Sequence, residues 1–77
     1  MLADKRYEHA RRIAVEMLLG RETDLRNRKA VKRALDQADA VPADVRRYHP
    51  AYEAFVTCCI TAAKVERLNR LLREGLH

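Results

Sequence analysis

Serine and tryptophan do not occur in this chain, and glycine and proline occur only twice each. Without serine there is no Ser-His-Asp nucleophile. Gly20 and Gly75 stand far apart, whereas phosphate-cradling loops and dinucleotide fingerprints need several glycines close together. No His-Glu-x-x-His motif occurs, and His9, His49 and His77 are widely separated. The two cysteines, Cys58 and Cys59, are adjacent and lack the spacing of zinc ligands. Cys59 with His49 would make a nucleophile–base pair, but Cys59 lies in the most apolar stretch, where a thiol is inert. Both cysteines read as small buried hydrophobes. Long apolar runs are missing too. The longest uncharged segment, residues 54–63, is too short to cross a bilayer and reads as the middle of a buried helix. These absences lead to the expectation of no enzyme, no catalytic or metal-ligating residue, no cofactor and no membrane span.

What is present is helix-forming and basic. The 77 residues carry 16 Lys and Arg against 11 Asp and Glu, a net charge of +5, and twelve of the bases are Arg. Such a balance tilts toward anionic partners without specifying one. Arginine adds bidentate contacts to phosphate and carboxylate that lysine cannot make. The length predicts a single helical domain over residues 1–77. Chains of this size bury only about 60% of the surface exposed on unfolding, so oligomerisation often completes the core. Residues 1–20 are studded with charge and have no apolar h-region, so no signal peptide is expected and a reduced, cytoplasmic setting is the default. Side chains of helical neighbours diverge by about 100°, so Cys58 and Cys59 cannot bridge each other, though either could bridge a second chain.

Taken in order, residues 3–19 place Ala3, Tyr7, Ala10, Ala14, Met17 and Leu18 at three- and four-residue steps, the stripe of an amphipathic helix. Asp4 would favour its N-terminus and Gly20 would stop it. Ile13, Val15 and Leu19 fall off the stripe. Glu8, Arg12 and Glu16 stand four apart and can pair on the wet face. Thr23 or Asp24 is the expected N-cap of a second helix that runs to about Ala38. Asn27, Val31, Ala34, Leu35 and Ala38 share one face of it. Arg26, Arg28, Lys29, Lys32 and Arg33 share the other, with no acid among positions 26–33. That basic face reads as a solvated surface or as a phosphate-binding one. Charge reversal at Arg28 and Lys32 is therefore expected to leave the fold intact. Pro42 opens a short helical turn with Asp44 in its first turn, and Arg46, Arg47 and Tyr48 follow. His49 precedes a proline and is expected to end that turn, leaving Pro50 to start a long helix over residues 50–76 with Glu53 in its first turn.

That long helix changes sides. Tyr52, Phe55, Val56, Cys59, Ile60 and Ala63 share a face in its first half, opposite Glu53, Thr57, Thr61 and Lys64. In the second half the apolar stripe moves to Val65, Leu68, Leu71 and Leu72, roughly opposite the first group at 100° per residue. Glu66, Arg67, Arg70 and Arg73 then occupy the side that was apolar. The second stripe needs a cover, either from within the chain or from another one.

The expected architecture is all-α: a compact bundle of three main helices with a short fourth helical turn and a long C-terminal helix. The expected function is a small protein-interaction module, adaptor or inhibitor in type. Its partner would be a second copy or a larger protein, met through Val65, Leu68, Leu71 and Leu72 with Arg67 and Arg70 at the edge. The alternative is a nucleic-acid-binding protein using Arg26, Arg28, Lys29, Lys32, Arg33, Arg46 and Arg47. No convincing helix-turn-helix spacing or strand-forming arm accompanies those bases, and the aromatics available for stacking are only Tyr7, Tyr48, Tyr52 and Phe55.

Overall fold

Among the described residues the chain forms four helices, α1 (Lys5–Gly20), α2 (Arg28–Gln37), α3 (Ala43–Arg46) and α4 (His49–Gly75). The computed structural model describes residues 5–75, so the parts expected of Ala3, Asp4, Leu76 and His77 lie outside the described residues. No strand occurs among the described residues, which agrees with the all-helical expectation. No helix among them is long and apolar enough to cross a membrane.

Several boundaries differ from those the sequence suggests, each for a local reason. α1 stops at Gly20 as expected, with Gly20 its last helical residue. The turn that closes it has the Thr23 N–H donating to the Leu18 carbonyl at 3.0 Å and the Glu22 N–H to that of Leu19 at 3.1 Å. This pairing places Glu22 in the left-handed region at φ 54, a position usually taken by glycine. α2 ends the same way. Ala40 donates to Leu35 and Asp39 to Asp36, with Asp39 at φ 52. The N-cap of α2 is Asn27, whose side chain accepts from the Ala30 N–H at 3.1 Å, and neither Thr23 nor Asp24. The connection must first turn Leu25 into the core, where it is 3% exposed. Asp24 serves that turn by accepting from the Arg26 N–H at 3.0 Å. α4 begins at His49, ahead of Pro50. Proline is tolerated in a first turn because its missing N–H would have no intrahelical partner there.

The helices run up, down and up. Tyr7 and Arg11 lie beside Phe55 and Cys58, and Val15 and Glu16 beside Ala62 and Glu66, so α1 and α4 point the same way. α2 runs back antiparallel to α4, with Arg28 at Glu53 and Thr57, and Lys32 at Glu53. α3 starts after Pro42 with Asp44 in its first turn, as expected, and the Tyr7 hydroxyl donates to the Asp44 carboxylate to tie α3 to α1. One cluster forms the core. It includes Ala14, Val15 and Leu18 of α1, Val31, Ala34 and Leu35 of α2, Val45 of α3, and Phe55, Val56, Cys59 and Ala63 of α4. Leu25 and Val41 close it from the loops. Val15 is buried although it falls off the predicted stripe, because α4 packs on that flank of α1. Ile13, also off the stripe, remains 51% exposed. The molecule measures 44 × 25 × 17 Å. A helix of 27 residues is about 40 Å long, so α4 alone spans the long dimension.

Candidate functional site

α1 and α2 are too short to accompany α4 along its whole length. Beyond Ala63 no helix among the described residues packs on the side of α4 that points away from α1. Val65, Leu68, Leu71 and Leu72 lie there, exposed by 53, 56, 59 and 59%. The intramolecular cover that the sequence allowed for this stripe is absent among the described residues. The opposite side of the same segment explains why the helix is held in place. Arg70 donates to Glu16 of α1 at 2.7 Å and to Glu66 at 3.1 Å, and Arg73 donates to Glu66 at 3.3 Å. These carboxylates, Glu16 before Glu66, raise the Arg70 pKa above its usual value. Arg70 therefore faces α1, away from the apolar strip whose edge it was expected to form. The edge belongs to Lys64 and Arg67, which are exposed and form no ion pair among the described residues.

The seven basic residues expected to bind anions do not form one surface. Arg28 and Lys32 point at α4. Arg28 reaches Glu53 through Nε at 3.2 Å and Nη2 at 2.8 Å, the Glu53 carbonyl at 2.8 Å and the Thr57 hydroxyl at 3.0 Å. The Lys32 ammonium lies 2.6 Å from the second Glu53 oxygen, which is shielded from water. Lys32 and then Arg28 hold the Glu53 carboxyl below its usual pKa. Arg28 and Lys32, expected on a free basic face, instead clamp α2 to α4 through a single acid. Arg26 belongs to the loop before α2, where it pairs with Asp24 at 3.5 Å. Arg46 pairs with Asp36 at 3.3 Å and with Asp39 at 3.9 Å. Lys29, Arg33 and Arg47 alone stand exposed without an ion pair among the described residues.

Neither cysteine is bonded. Cys58 is half-buried beside Tyr7 and Arg11, and burial pushes the Cys59 thiol up to about 12, far from the reactive thiolate. No group of three or more His, Cys, Asp and Glu side chains among the described residues could hold a metal ion. Open hollows flank α1. A charged one of about 390 Å³ lies toward α4, between Glu8, Arg12, Glu16 and Glu66. A more apolar one of about 330 Å³ lies between Ile13 and Met17 on one side and Val41 and Pro42 on the other. The sequence signal for the second was Ile13, an apolar residue off the α1 stripe.

No family model matches this chain, and neither does any curated protein or solved structure. Its chemistry is therefore read from its own surfaces. The most sharply defined of them is the strip at the end of α4.

Proposed function

We propose that the chain is a non-enzymatic protein-interaction module of adaptor or inhibitor type, a bundle of three main helices that holds out the second half of α4 as its contact surface. The observation that carries this reading is the single-sided exposure of Val65, Leu68, Leu71 and Leu72. Scattered exposed apolar residues are ordinary, but four large ones in one stripe, edged by charge, are how a helix is built to meet another protein. Arg70 ties the other side of the same segment to Glu16 of α1, and Glu66 bridges Arg70 and Arg73 along α4. Binding of nucleic acid has less support. Arg28 and Lys32, at the middle of the basic face, are engaged by Glu53, which leaves Lys29, Arg33 and Arg47 for phosphate contacts.

The test compares the unmodified chain with a Leu68→Glu, Leu72→Glu variant. The variant should keep its helical circular dichroism and melting temperature, since surface changes usually cost no more than about 0.5 kcal/mol, and should lose the protein contacts that the unmodified chain makes in extracts of its native host. Collapse of the fold would assign the strip to the core and end the reading. Binding of generic duplex DNA with a steep salt dependence would favour the alternative.

A further inference from the structure

The strip continues a line that runs back along the outward side of α4. Ala54, Thr57, Thr61, Val65, Leu68 and Leu72 follow one another at three- and four-residue steps, and all are exposed. At about 3.6 residues per turn they stay on one straight line, about 27 Å long. The outward side of a surface helix is where charge normally gathers, yet none of these positions is charged. We infer that the occupant of the strip is a helix of another protein, acidic along one flank, that lies beside α4 from Ala54 to Leu72. The inference rests on the reading of the strip as a contact surface and extends that surface over both halves of the helix.

The two parts of the line differ in bulk. Ala54, Thr57 and Thr61 are short, and short side chains let a second helix approach closely. Val65, Leu68 and Leu72 are longer and hold it further off. A partner with large apolar residues over Thr57 and Thr61, and smaller ones over the leucines, fits both. Covering Thr57 strands no polar group, because Arg28 donates to its hydroxyl at 3.0 Å. A lipid surface gains little from this half, which has no bulk to bury among acyl chains.

The flank toward α2 supplies the charge. Lys64 and Arg67 are exposed there and form no ion pair among the described residues. Arg67 acts on Asp24 through space, but that acid already pairs with Arg26. Glu53, on the same flank, is taken by Arg28 and Lys32. Glu74 lies about 10 Å beyond Arg67 along the helix, too far to answer both cations. The other flank, with Cys58, Ala62 and Asn69, is neutral. Asp or Glu beside the partner's apolar stripe therefore complements one edge of α4, and Lys or Arg there meets like charge.

The test selects binders to the intact chain from a displayed library of helical peptides whose flanking residues are random. Selected peptides should carry Asp or Glu along one flank, a result read without any change to the chain. They should bind a Lys64→Glu, Arg67→Glu variant about tenfold or more weakly, and selection on that variant should turn to Lys and Arg. They should also lose affinity for an Ala54→Glu, Thr61→Glu variant whose circular dichroism is unchanged. Peptides with no charge bias overturn the acidic partner and leave the contact surface standing. Indifference to Ala54→Glu, Thr61→Glu overturns the long contact and confines it to the strip. Retention of the chain on vesicles of anionic phospholipid, or its dimerisation in sedimentation, with no peptide selected, replaces the partner helix by a lipid surface or a second copy. Binders that ignore Leu68→Glu, Leu72→Glu sit elsewhere, and overturn both this inference and the reading beneath it.

Discussion

The two halves of α4 are built from similar residues turned opposite ways. Up to Ala63, the helix buries Phe55, Val56 and Cys59 and shows Thr57 and Thr61 to the outside. After it, Leu68, Leu71 and Leu72 face water, and Glu66 and Arg70 face the rest of the molecule. Hydropathy is not what separates them. The first half lies between α1 and α2, and the second has α1 on one side only. A leucine is buried when a neighbouring element reaches it, and the reach of α1 and α2 is set by their lengths, 16 and 10 residues. The polar devices differ in the same manner. Both the Glu53 and the Arg70 clusters cross between helices, but the Glu53 cluster excludes water from one of its oxygens, while the Arg70 cluster sits at the surface.

The sharpest way to break this comparison is to remove the apolar anchor of the first half. Phe55→Ala should destabilise the fold by about 3–5 kcal/mol, enough to unfold much of a domain this small. Thermal melting reads the loss directly. An unaltered melting temperature would mean that the buried face has been assigned to the wrong side of the helix.

Next in size is the clamp. Arg28→Glu with Lys32→Glu sets three acids together at one site and should lower the melting temperature by roughly 5–10 °C. Lys29→Glu with Arg33→Glu makes the same change in net charge on the exposed side of α2 and should leave it nearly unchanged. Equal effects from the two pairs would show that total charge, and not the contact with Glu53, is responsible.

Acid titration makes the smallest change and sharpens the contrast further. Glu53, Asp44 and Asp24 all have pKa values below the ordinary carboxylate range. Their leading causes are Lys32, the Tyr7 hydroxyl and the Arg26 backbone N–H. The unfolded chain therefore takes up protons at a higher pH than the folded one, and stability rises with pH across that interval. Melting temperature should hold steady from about pH 7 to about pH 5 and fall below about pH 4. Glu53→Gln should flatten part of that acid limb. An acid limb identical to that of the unmodified chain would deny Glu53 its share.

Much of this arrangement can be read from residue order. The face carrying Phe55, Val56 and Cys59, the short turn after Pro42 and the change of side along α4 all follow from spacing, because helical periodicity is local. The failures involve partners that are distant in sequence or backbone shapes that composition hides. Arg28 and Glu53 are 25 positions apart, so the basic face of α2 looked free when half of it was committed to α4. Val15 lies off its stripe because α1 has two neighbours on different flanks. The αL positions of Glu22 and Asp39 carry no glycine to announce them. For the candidate site, residue order located the strip but could not tell whether anything covered it. It also placed Arg70 at the edge of the strip, whereas Glu16, on another helix, draws it to the far side.

The one-sided support of the second half of α4 also determines how its backbone breathes. Local opening free energies follow the number of packed surfaces that must separate, and they approach zero where a helix end is held by few buried contacts. Amide protection should therefore decline along α4 from the turns around Phe55 toward Glu74, with the ion pairs around Arg70 slowing the decline. The strip is thus presented by the part of the helix that unwinds most readily. A partner that docks there stiffens it, and part of the binding energy is spent on ordering the last turns.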